Sequence, residues 1–215
     1  MTESGNLYVK QLQLGHMDNF VYLLGDTSSN AAVVVDPAWD VDEILSQLEA
    51  HGAELQAIWL THGHYDHTEG VADLVAKTGV PVYLSRRMPE AWRPENVTLI
   101  EFDDGDTLTV GNVEFTVIAT PGHSPDGSCF LHRNHLIAGD TLFINGCGRC
   151  DLPDSDVDAM YDSLHEKLMA LPDNTIVYPG HDYSTLTIDT LGNQKQSNPY
   201  LNVESKQQFL HRRMG

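Results

Sequence analysis

Three histidines and an aspartate occupy four of six consecutive positions in the segment LTHGHYDHTEG, residues 60–70. They are His62, His64, Asp66 and His67, and imidazole and carboxylate groups are ligands for zinc, iron and manganese. The segment comes directly after LQAIWLTH, whose apolar character is typical of a buried strand. A polar loop that happens to be rich in histidine is the plain alternative. The H-x-H-x-D-H spacing favours a metal site.

Three more ligand-type residues each follow an apolar strand and a glycine. VIATPGH ends at His123, HLIAGD ends at Asp140 and TIVYPGH ends at His181. Strand ends at one edge of packed sheets lie close together, so we expect all seven residues to meet. A closed structural zinc site needs only four ligands, and none of the seven is a thiolate. Seven ligands therefore indicate two metal ions with Asp140 between them, and a hydroxide bound between two ions is a strong nucleophile.

Hydrophobic periodicity predicts the elements that hold these residues. Short apolar or alternating runs predict strands within residues 7–35, 55–62, 80–85, 97–140 and 175–183. Helices are predicted over 40–52, with Asp40 as its cap, over 69–79, and over 155–172, with a capping pair at Ser155 and Asp158. Two β-rich halves, each accompanied by helices, predict an α/β fold of two mixed sheets packed face to face, with helices outside. No linker interrupts the chain, so we predict one domain over residues 1–215.

Composition narrows the class of function. The 215 residues carry a formal charge of −19, which would repel phosphate backbones and disfavours a nucleic-acid partner. No apolar run approaches the roughly 18 residues of a membrane helix, and the N-terminus shows no signal-peptide pattern. Three cysteines are too few for a disulfide scaffold. We therefore expect a cytoplasmic protein that acts on a small molecule, without nucleic-acid or membrane partners, and a homodimer is left open as its assembly.

The ordered motifs H-x-H-x-D-H, PGH, GD and PGH resemble those of the metallo-β-lactamase superfamily over essentially the whole chain. The resemblance implies a four-layer αβ/βα sandwich. It also implies one metal on His62, His64 and His123, and a second on Asp66, His67 and His181, with Asp140 shared between the two.

Two longer segments, GDTLFINGCGRCDLP and LHEKLMALPDNTIVYPGHDYSTLTIDT, together with NPYL, resemble the glyoxalase II-like and persulfide dioxygenase-like subgroup. The resemblance implies a hydrolase of a small ester or thioester that uses a metal-bound hydroxide on two divalent ions, with zinc expected. The alternative is a glutathione-persulfide dioxygenase with one ferrous iron on His62, His123 and Asp140. A third hypothesis, from another class, is a metal-bound module without turnover.

The substrate is the least specified part of the prediction. Glyoxalase II has a helical C-terminal domain that binds glutathione, and only 34 residues follow His181, so we expect that domain to be missing. A thioester or a glutathione-derived thiol is the expected partner. Arg149 is predicted to bind a substrate anion, with a surface ion pair as the alternative, and Tyr183 matches a substrate-contacting tyrosine of the glyoxalase II pattern. Asp66 is also expected to act in catalysis, by accepting the proton of the water.

Several other residues are predicted to have supporting or purely structural roles. Asp36 and Asp182 are predicted to accept hydrogen bonds from ligand imidazoles. Cys147 and Cys150 form a C-x-x-C motif outside any thioredoxin-like context, and we interpret them as incidental cysteines rather than a redox pair. Trp59 is predicted to lie in the core. The histidines without ligand context are predicted to be solvated: His16, His51, His132, His135, His165 and His211.

Overall fold

Two six-stranded β-sheets form the framework of the protein. The computed structural model describes residues 6–215; residues 1–5, which belong to the N-terminus where no signal peptide is predicted, lie outside this range. Sheet 1 comprises, in spatial order, β1 Leu7–Leu14, β2 Asn19–Asp26, β3 Ala31–Val35, β4 Glu54–Trp59, β5 Val82–Ser85 and β6 Leu99–Phe102. Its first two pairings are antiparallel and its last three are parallel.

Sheet 2 is formed by the second half of the chain. Its strands are β7 Thr107–Val110, β8 Val113–Ala119, β9 Ser128–His132, β10 His135–Gly139, β13 Ile176–Pro179 and β14 Asp189–Thr190, in the spatial order β14-β13-β10-β9-β8-β7. Only β10 and β13 pair in parallel. A separate two-stranded hairpin consists of β11 Leu142–Phe143 and β12 Gly146–Cys147. Both sheets are mixed, as the sequence predicts.

Helices cover the outer faces of the two sheets. They are α1 Val41–Ala50, α2 Tyr65–Thr68, α3 Val71–Thr78, α4 Val157–Asp162, α5 Leu191–Ser197 and α6 Lys206–Met214. A 3₁₀ turn, Glu90–Trp92, lies between β5 and β6, while a π-helical segment, Ser163–Lys167, and a 3₁₀ turn, Leu168–Ala170, extend α4. No helix within residues 6–215 is long and apolar enough to cross a membrane.

Three apolar layers separate the four layers of secondary structure. The central layer joins the two sheets, and Trp59 lies in it with its ring edge-on to Phe115 at 5.4 Å and to Phe130 at 5.5 Å. An outer layer packs α1 and α3 on sheet 1, and another packs α4, α5 and α6 on sheet 2. The predicted αβ/βα sandwich and the core position of Trp59 are confirmed. The single-domain assignment stays a prediction.

Of the two predicted helix caps, Asp40 has the predicted position but does not cap with its side chain, and the pair predicted for α4 is wrong. Asp40 precedes α1 but has a left-handed backbone, with φ at 50°, and its side chain makes no capping hydrogen bond. The cap of α4 is Asp156, whose carboxylate accepts from the backbone N–H groups of Asp158 and Ala159, so the predicted pair of Ser155 and Asp158 does not form. In this acidic segment several residues match a cap, and only the backbone trajectory distinguishes them.

Candidate metal centre

The seven predicted ligands converge on one side of the sandwich. Two sets of three place one ligand atom per residue within 4.8 Å of one another. One set is His62, His64 and His123, and the other is Asp66, His67 and His181. All but His64 are buried, and His64 is half-buried. These are the two triads that the family resemblance implies.

Asp140 lies between the two triads. Its Oδ2 is 3.5 Å from Nε2 of His123, in the first triad, and 3.3 Å from Nε2 of His181, in the second. Its Oδ1 is 3.3 Å from Nε2 of His67. A carboxylate that reaches both groups of imidazoles has the position required of a ligand shared by two metal ions.

Glycines at the strand ends allow this close approach. Gly139 ends β10 at a break in its register with β13 and has φ at 47°, and a Cβ there would lie 2.5 Å from Oγ1 of Thr61. A Cβ on Gly180 would lie 2.2 Å from Oδ1 of Asp140. In two of the three strand–glycine–ligand motifs, the glycine therefore leaves the space that the Asp140 carboxylate and the neighbouring Thr61 side chain occupy.

Asp36 orients the imidazoles from behind. Its Oδ2 accepts from Nδ1 of His67 at 3.0 Å and from the Thr61 hydroxyl at 2.6 Å, and its Oδ1 accepts from the Thr61 backbone N–H at 2.8 Å. Because the Thr61 hydroxyl donates to Asp36, its oxygen accepts from Nδ1 of His62, 3.1 Å away. The prediction that Asp36 accepts a hydrogen bond from a ligand imidazole is confirmed, and Asp36 also forms a potential ligand group with His62 and His67.

Backbone carbonyl groups orient two more ligands. Nδ1 of His123 donates to the carbonyl oxygen of Arg149 at 2.8 Å, and Nδ1 of His181 donates to that of Met17 at 2.9 Å. Asp182, predicted to have this role, does not contact a ligand imidazole among the hydrogen bonds of residues 6–215, and its Oδ1 is buried without a partner there. That prediction is wrong because β1 and β2 turn back beside His181 and bring the Met17 carbonyl closer.

The resulting tautomers fit a metal centre. With hydrogen on Nδ1, His62, His67, His123 and His181 all present the lone pair of Nε2 to the centre. Nε2 of His67 lies only 3.2 Å from Nε2 of His181, and Nε2 of His62 is buried with no hydrogen-bond partner in the described chain. Facing lone pairs repel unless a cation lies between them. The donor set therefore matches divalent metal ions with nitrogen and oxygen ligands.

Burial also keeps two of the imidazoles neutral. Burial, followed by the charges of neighbouring imidazoles, lowers the pKa of His62 well below its ordinary value. Burial and the nearby His123 lower the pKa of His64 to about 4. Since metal ions bind the neutral imidazole, these ligands require no deprotonation at neutral pH.

Asn19 holds Asp66 in place. Its Nδ2 donates to the backbone carbonyl of Asp66 at 2.9 Å and to Oδ2 of the same residue at 3.2 Å, while its Oδ1 accepts from Nε1 of Trp39 at 3.1 Å. The Asp66 carboxylate lies 3.5 Å from Nε2 of His181 and borders the open cleft above the centre. Sequence reasoning missed Asn19, since a single asparagine at the start of a strand has no distinguishing pattern.

The metal centre lies at the junction of two clefts. A cleft of about 560 Å³ extends over Tyr65 and Trp92, and a second of about 360 Å³ extends toward Tyr200 and Arg213. Both are lined by the following residues: His123, Asp140, Arg149 and Tyr183. The Tyr183 ring stacks on His181 with centroids 4.7 Å apart and planes 8° apart. Tyr183 thus borders both clefts beside the second triad, and its contact with substrate stays a prediction.

The cation available in the second cleft is Arg213 rather than Arg149. The Arg149 guanidinium makes two hydrogen bonds of 2.7 Å to Asp151, which is the surface ion pair weighed as the alternative. Arg213, on α6, donates to the Tyr200 hydroxyl at 3.3 Å, and its buried Nε has no hydrogen-bond partner within residues 6–215. Sequence reasoning missed Arg213 because it lies far along the chain from every ligand motif.

Other side chains are structural. Cys147 and Cys150 are free and buried, and burial raises the pKa of the Cys150 thiol to about 11, so both act as small apolar residues. Among the histidines predicted to be solvated, three are half-buried and hydrogen-bonded instead: His132, His135 and His165. Each lies against an aromatic ring, a packing partner that sequence spacing does not reveal.

Comparison with known proteins agrees with the geometry. The sequence model of the metallo-beta-lactamase superfamily matches residues 14–181, which contain all seven ligand-type residues. The chain belongs to this superfamily. It is 33% identical over 192 residues to a probable polyketide biosynthesis zinc-dependent hydrolase, PksB, of Bacillus subtilis, and the match covers 89% of this chain and 85% of PksB.

Solved structures show the same fold. ETHE1 from Myxococcus xanthus superposes with a TM-score of 0.88 at 32% identity, covering 97% of this chain and 90% of ETHE1. TTHA1623, solved in a di-iron-bound form, superposes with a TM-score of 0.78 at 32% identity, covering 90% of this chain and 100% of TTHA1623. The predicted resemblance to the glyoxalase II-like and persulfide dioxygenase-like subgroup is confirmed.

Proposed function

We propose that the protein is a metal-dependent hydrolase of a small thioester or ester, with two divalent ions, zinc being the expected metal. The observation that carries this proposal is the pair of complete ligand triads joined by Asp140. Two ions bound there would supply Lewis acidity and a water activated as a nucleophile at neutral pH. The similarity to PksB, a probable zinc-dependent hydrolase, supports the same chemistry.

The side chains of this chain would orient the reaction. Asp36, Thr61 and the two backbone carbonyls fix which nitrogen of each imidazole faces the centre. Asp66 faces the cleft, held by Asn19, and we assign it a second role as acceptor of the proton that water loses on attack. Water and a thioester then give a carboxylic acid and a free thiol, with no oxidant or reductant required.

The second cleft supports a substrate whose thiol portion is anionic. Arg213 is a partly buried cation without a described carboxylate partner, in a chain with a net charge of −19. An anionic group placed there would gain a charge-assisted contact with the guanidinium. Tyr183 lies between this arginine cleft and the metal centre and would contact the part of the substrate that joins the anion to the sulfur.

Metal analysis and turnover together test the proposal. Protein purified without oxygen should contain about two zinc ions per chain and release thiol from acyl-glutathione or acyl-coenzyme A. Chelation should abolish release, and added zinc should restore it. An Asp140→Asn variant serves as the control for release that does not depend on the metal centre.

Two other results would contradict the proposal in different ways. One iron per chain, with oxygen consumed in the presence of glutathione persulfide, would assign the dioxygenase alternative on His62, His123 and Asp140. Two tightly bound metals with turnover of neither substrate class would assign the non-catalytic module.

A further inference from the structure

The larger cleft has an apolar wall on the side away from Arg213. The side chains that form it, together with part of the metal centre, enclose about 560 Å³. The apolar and aromatic members of the wall are Met17, Tyr65, Trp92, Leu152 and Pro153. A cleft of this size with an apolar wall beside reactive groups is typical of a site that binds part of a substrate.

The aromatic members of this wall are held in position. The ring centroids of Trp92 and His64 are 5.1 Å apart, and the Trp92 side chain also packs on the outer apolar layer of sheet 1. A Cβ on Gly63 would lie 3.1 Å from Cβ of Trp92, so the glycine between two ligand histidines permits this approach. Trp92 is therefore a preorganised surface beside the first metal triad.

Tyr65 extends the wall into solvent. Its side chain is 60% exposed, yet its hydroxyl donates to the Met17 sulfur at 2.9 Å and its ring lies edge-on to Trp39 at 6.4 Å. A large exposed aromatic held by neighbours on both sides loses little conformational entropy when a ligand covers it. An apolar ligand group would remove this ring and Trp92 from water together.

The charges around the larger cleft exclude an anionic occupant of the wall. Among the described residues that line it, Arg149 is the only lysine or arginine, and its guanidinium is already paired with Asp151. Asp154 lines the same cleft. A substrate carboxylate at the wall would meet the Asp154 carboxylate without a free lysine or arginine side chain to pair with, and a neutral apolar group would not.

We infer that this wall binds the acyl group of the substrate, and that the acyl group is neutral and apolar. The inference rests on the proposed thioester hydrolysis. The acyl chain lies along Trp92 and Tyr65, the carbonyl carbon lies at the metal centre, and the thiol portion extends to Arg213. The larger cleft thus takes the apolar acyl end of the substrate, and the second cleft takes its anionic thiol end.

A series of thioesters of one thiol tests this assignment. Acetyl-, butyryl-, hexanoyl- and succinyl-coenzyme A share their leaving group, so differences in kcat/KM report on the acyl end. For the zinc-loaded protein, kcat/KM should rise about two- to fourfold per added methylene until the wall is covered. Succinyl-coenzyme A should react at least about tenfold more slowly than butyryl-coenzyme A.

Variants locate the effect on the wall. Trp92→Ala should flatten the dependence of kcat/KM on acyl chain length, and Trp92→Phe should restore most of that slope. Because Trp92 also packs on the core, Leu152→Ala provides a second variant with a smaller change in the same direction. Ile100→Ala is the matched control, since Ile100 is an exposed apolar residue outside the cleft.

The outcomes separate the inference from the proposed function. Equal kcat/KM for all four thioesters, or an unchanged slope in both Trp92→Ala and Leu152→Ala, overturns the acyl assignment while leaving hydrolysis intact. Failure of the zinc-loaded protein to cleave any of the four overturns the proposed hydrolysis and the acyl assignment with it. A slope that Trp92→Ala removes and Ile100→Ala retains supports the assignment.

Discussion

Replacing Asp36 by asparagine should weaken one metal position without removing any side chain that faces the centre. In the wild type, Oδ2 of Asp36 accepts from Nδ1 of His67 and from the Thr61 hydroxyl. Asparagine can keep a carbonyl oxygen toward the Thr61 backbone N–H, but its NH₂ group then faces Nδ1 of His67. Two donors cannot pair, so the favoured response is a His67 tautomer with hydrogen on Nε2.

That tautomer cannot bind a metal ion through Nε2, which lies 3.2 Å from Nε2 of His181 and 3.3 Å from Oδ1 of Asp140. Loss of such an orienting partner costs about 10- to 100-fold in metal affinity. This corresponds to roughly 1.4–2.8 kcal/mol. The loss should fall on the triad that contains His67, while the triad of His62, His64 and His123 keeps its affinity within a factor of a few.

Competition with a chromogenic chelator measures both affinities in one titration. The matched control is Asp26→Asn, because Asp26 is also buried and accepts hydrogen bonds from Ser28, Ser29 and Asn112. Asp26 lies at the far end of β2 from Asn19, about 23 Å away along the strand. The Asp26→Asn variant should be less stable than the wild type but bind both metals with wild-type affinity. Two metals bound by Asp36→Asn within threefold of the wild-type affinities would refute the tautomer argument.

Three more predictions test separate parts of the structure. His181→Ala should bind about one metal per chain instead of two, because the second triad loses a nitrogen ligand that no described neighbour replaces, as measured by metal analysis after dialysis. Arg213→Ala should raise KM for an anionic thioester about 10- to 100-fold, with kcat changed less, whereas Arg149→Ala should change KM less than about threefold because Arg149 is paired with Asp151. Burial raises the pKa of Asp126 from 3.8 to about 6. Between these two values the folded protein keeps the Asp126 proton while the unfolded chain releases it. The free energy of unfolding should therefore fall as the pH rises from about 4 to 6. In denaturant titrations, the free energy of unfolding of the wild type should fall by roughly 2–3 kcal/mol over that pH range, and that of Asp126→Asn should not. Identical pH profiles for the two proteins would contradict this prediction.

The metal ligands could be predicted from sequence because their positions follow from strand ends. His123, Asp140 and His181 each follow an apolar strand and a glycine, and the ends of strands at one edge of a sandwich lie close together. The H-x-H-x-D-H segment adds ligands on either side of the start of α2, a one-turn helix that the periodicity does not predict. Fold and ligand set are thus encoded in local patterns that the sandwich brings together.

The groups that orient those ligands could not be predicted in the same way. Two of the acceptors are carbonyl oxygens, of Met17 and Arg149, and a backbone group leaves no trace in residue type. Asp36 and Asp182 each follow an apolar strand closely, yet only Asp36 reaches an imidazole, since a left-handed backbone at Asp36 turns its side chain toward Thr61. Which aspartate reaches an imidazole depends on backbone dihedral angles rather than on residue type.

Arg213 was beyond sequence reasoning for a different reason. It lies on α6, whose start is marked by a Ser205 side chain that accepts from the backbone N–H of Gln208. A cap of this kind predicts a helix but not the element on which it packs. The contacts of α6 with α4, and so the place of Arg213 beside the cleft, arise from tertiary packing: Phe209 lies in the outer apolar layer, and Lys206 pairs with Asp158 and Asp162 of α4.

The carbonyl contacts to His123 and His181 have a consequence for how this scaffold can change over evolutionary time. Every residue type offers the same backbone oxygen, so mutations at 17 and 149 can alter what the cleft recognises while the imidazoles keep their orientation. Substitutions at positions 17 and 149 can therefore accumulate without loss of metal binding. A saturation library at both positions should diversify substrate preference while most of its members still bind metal.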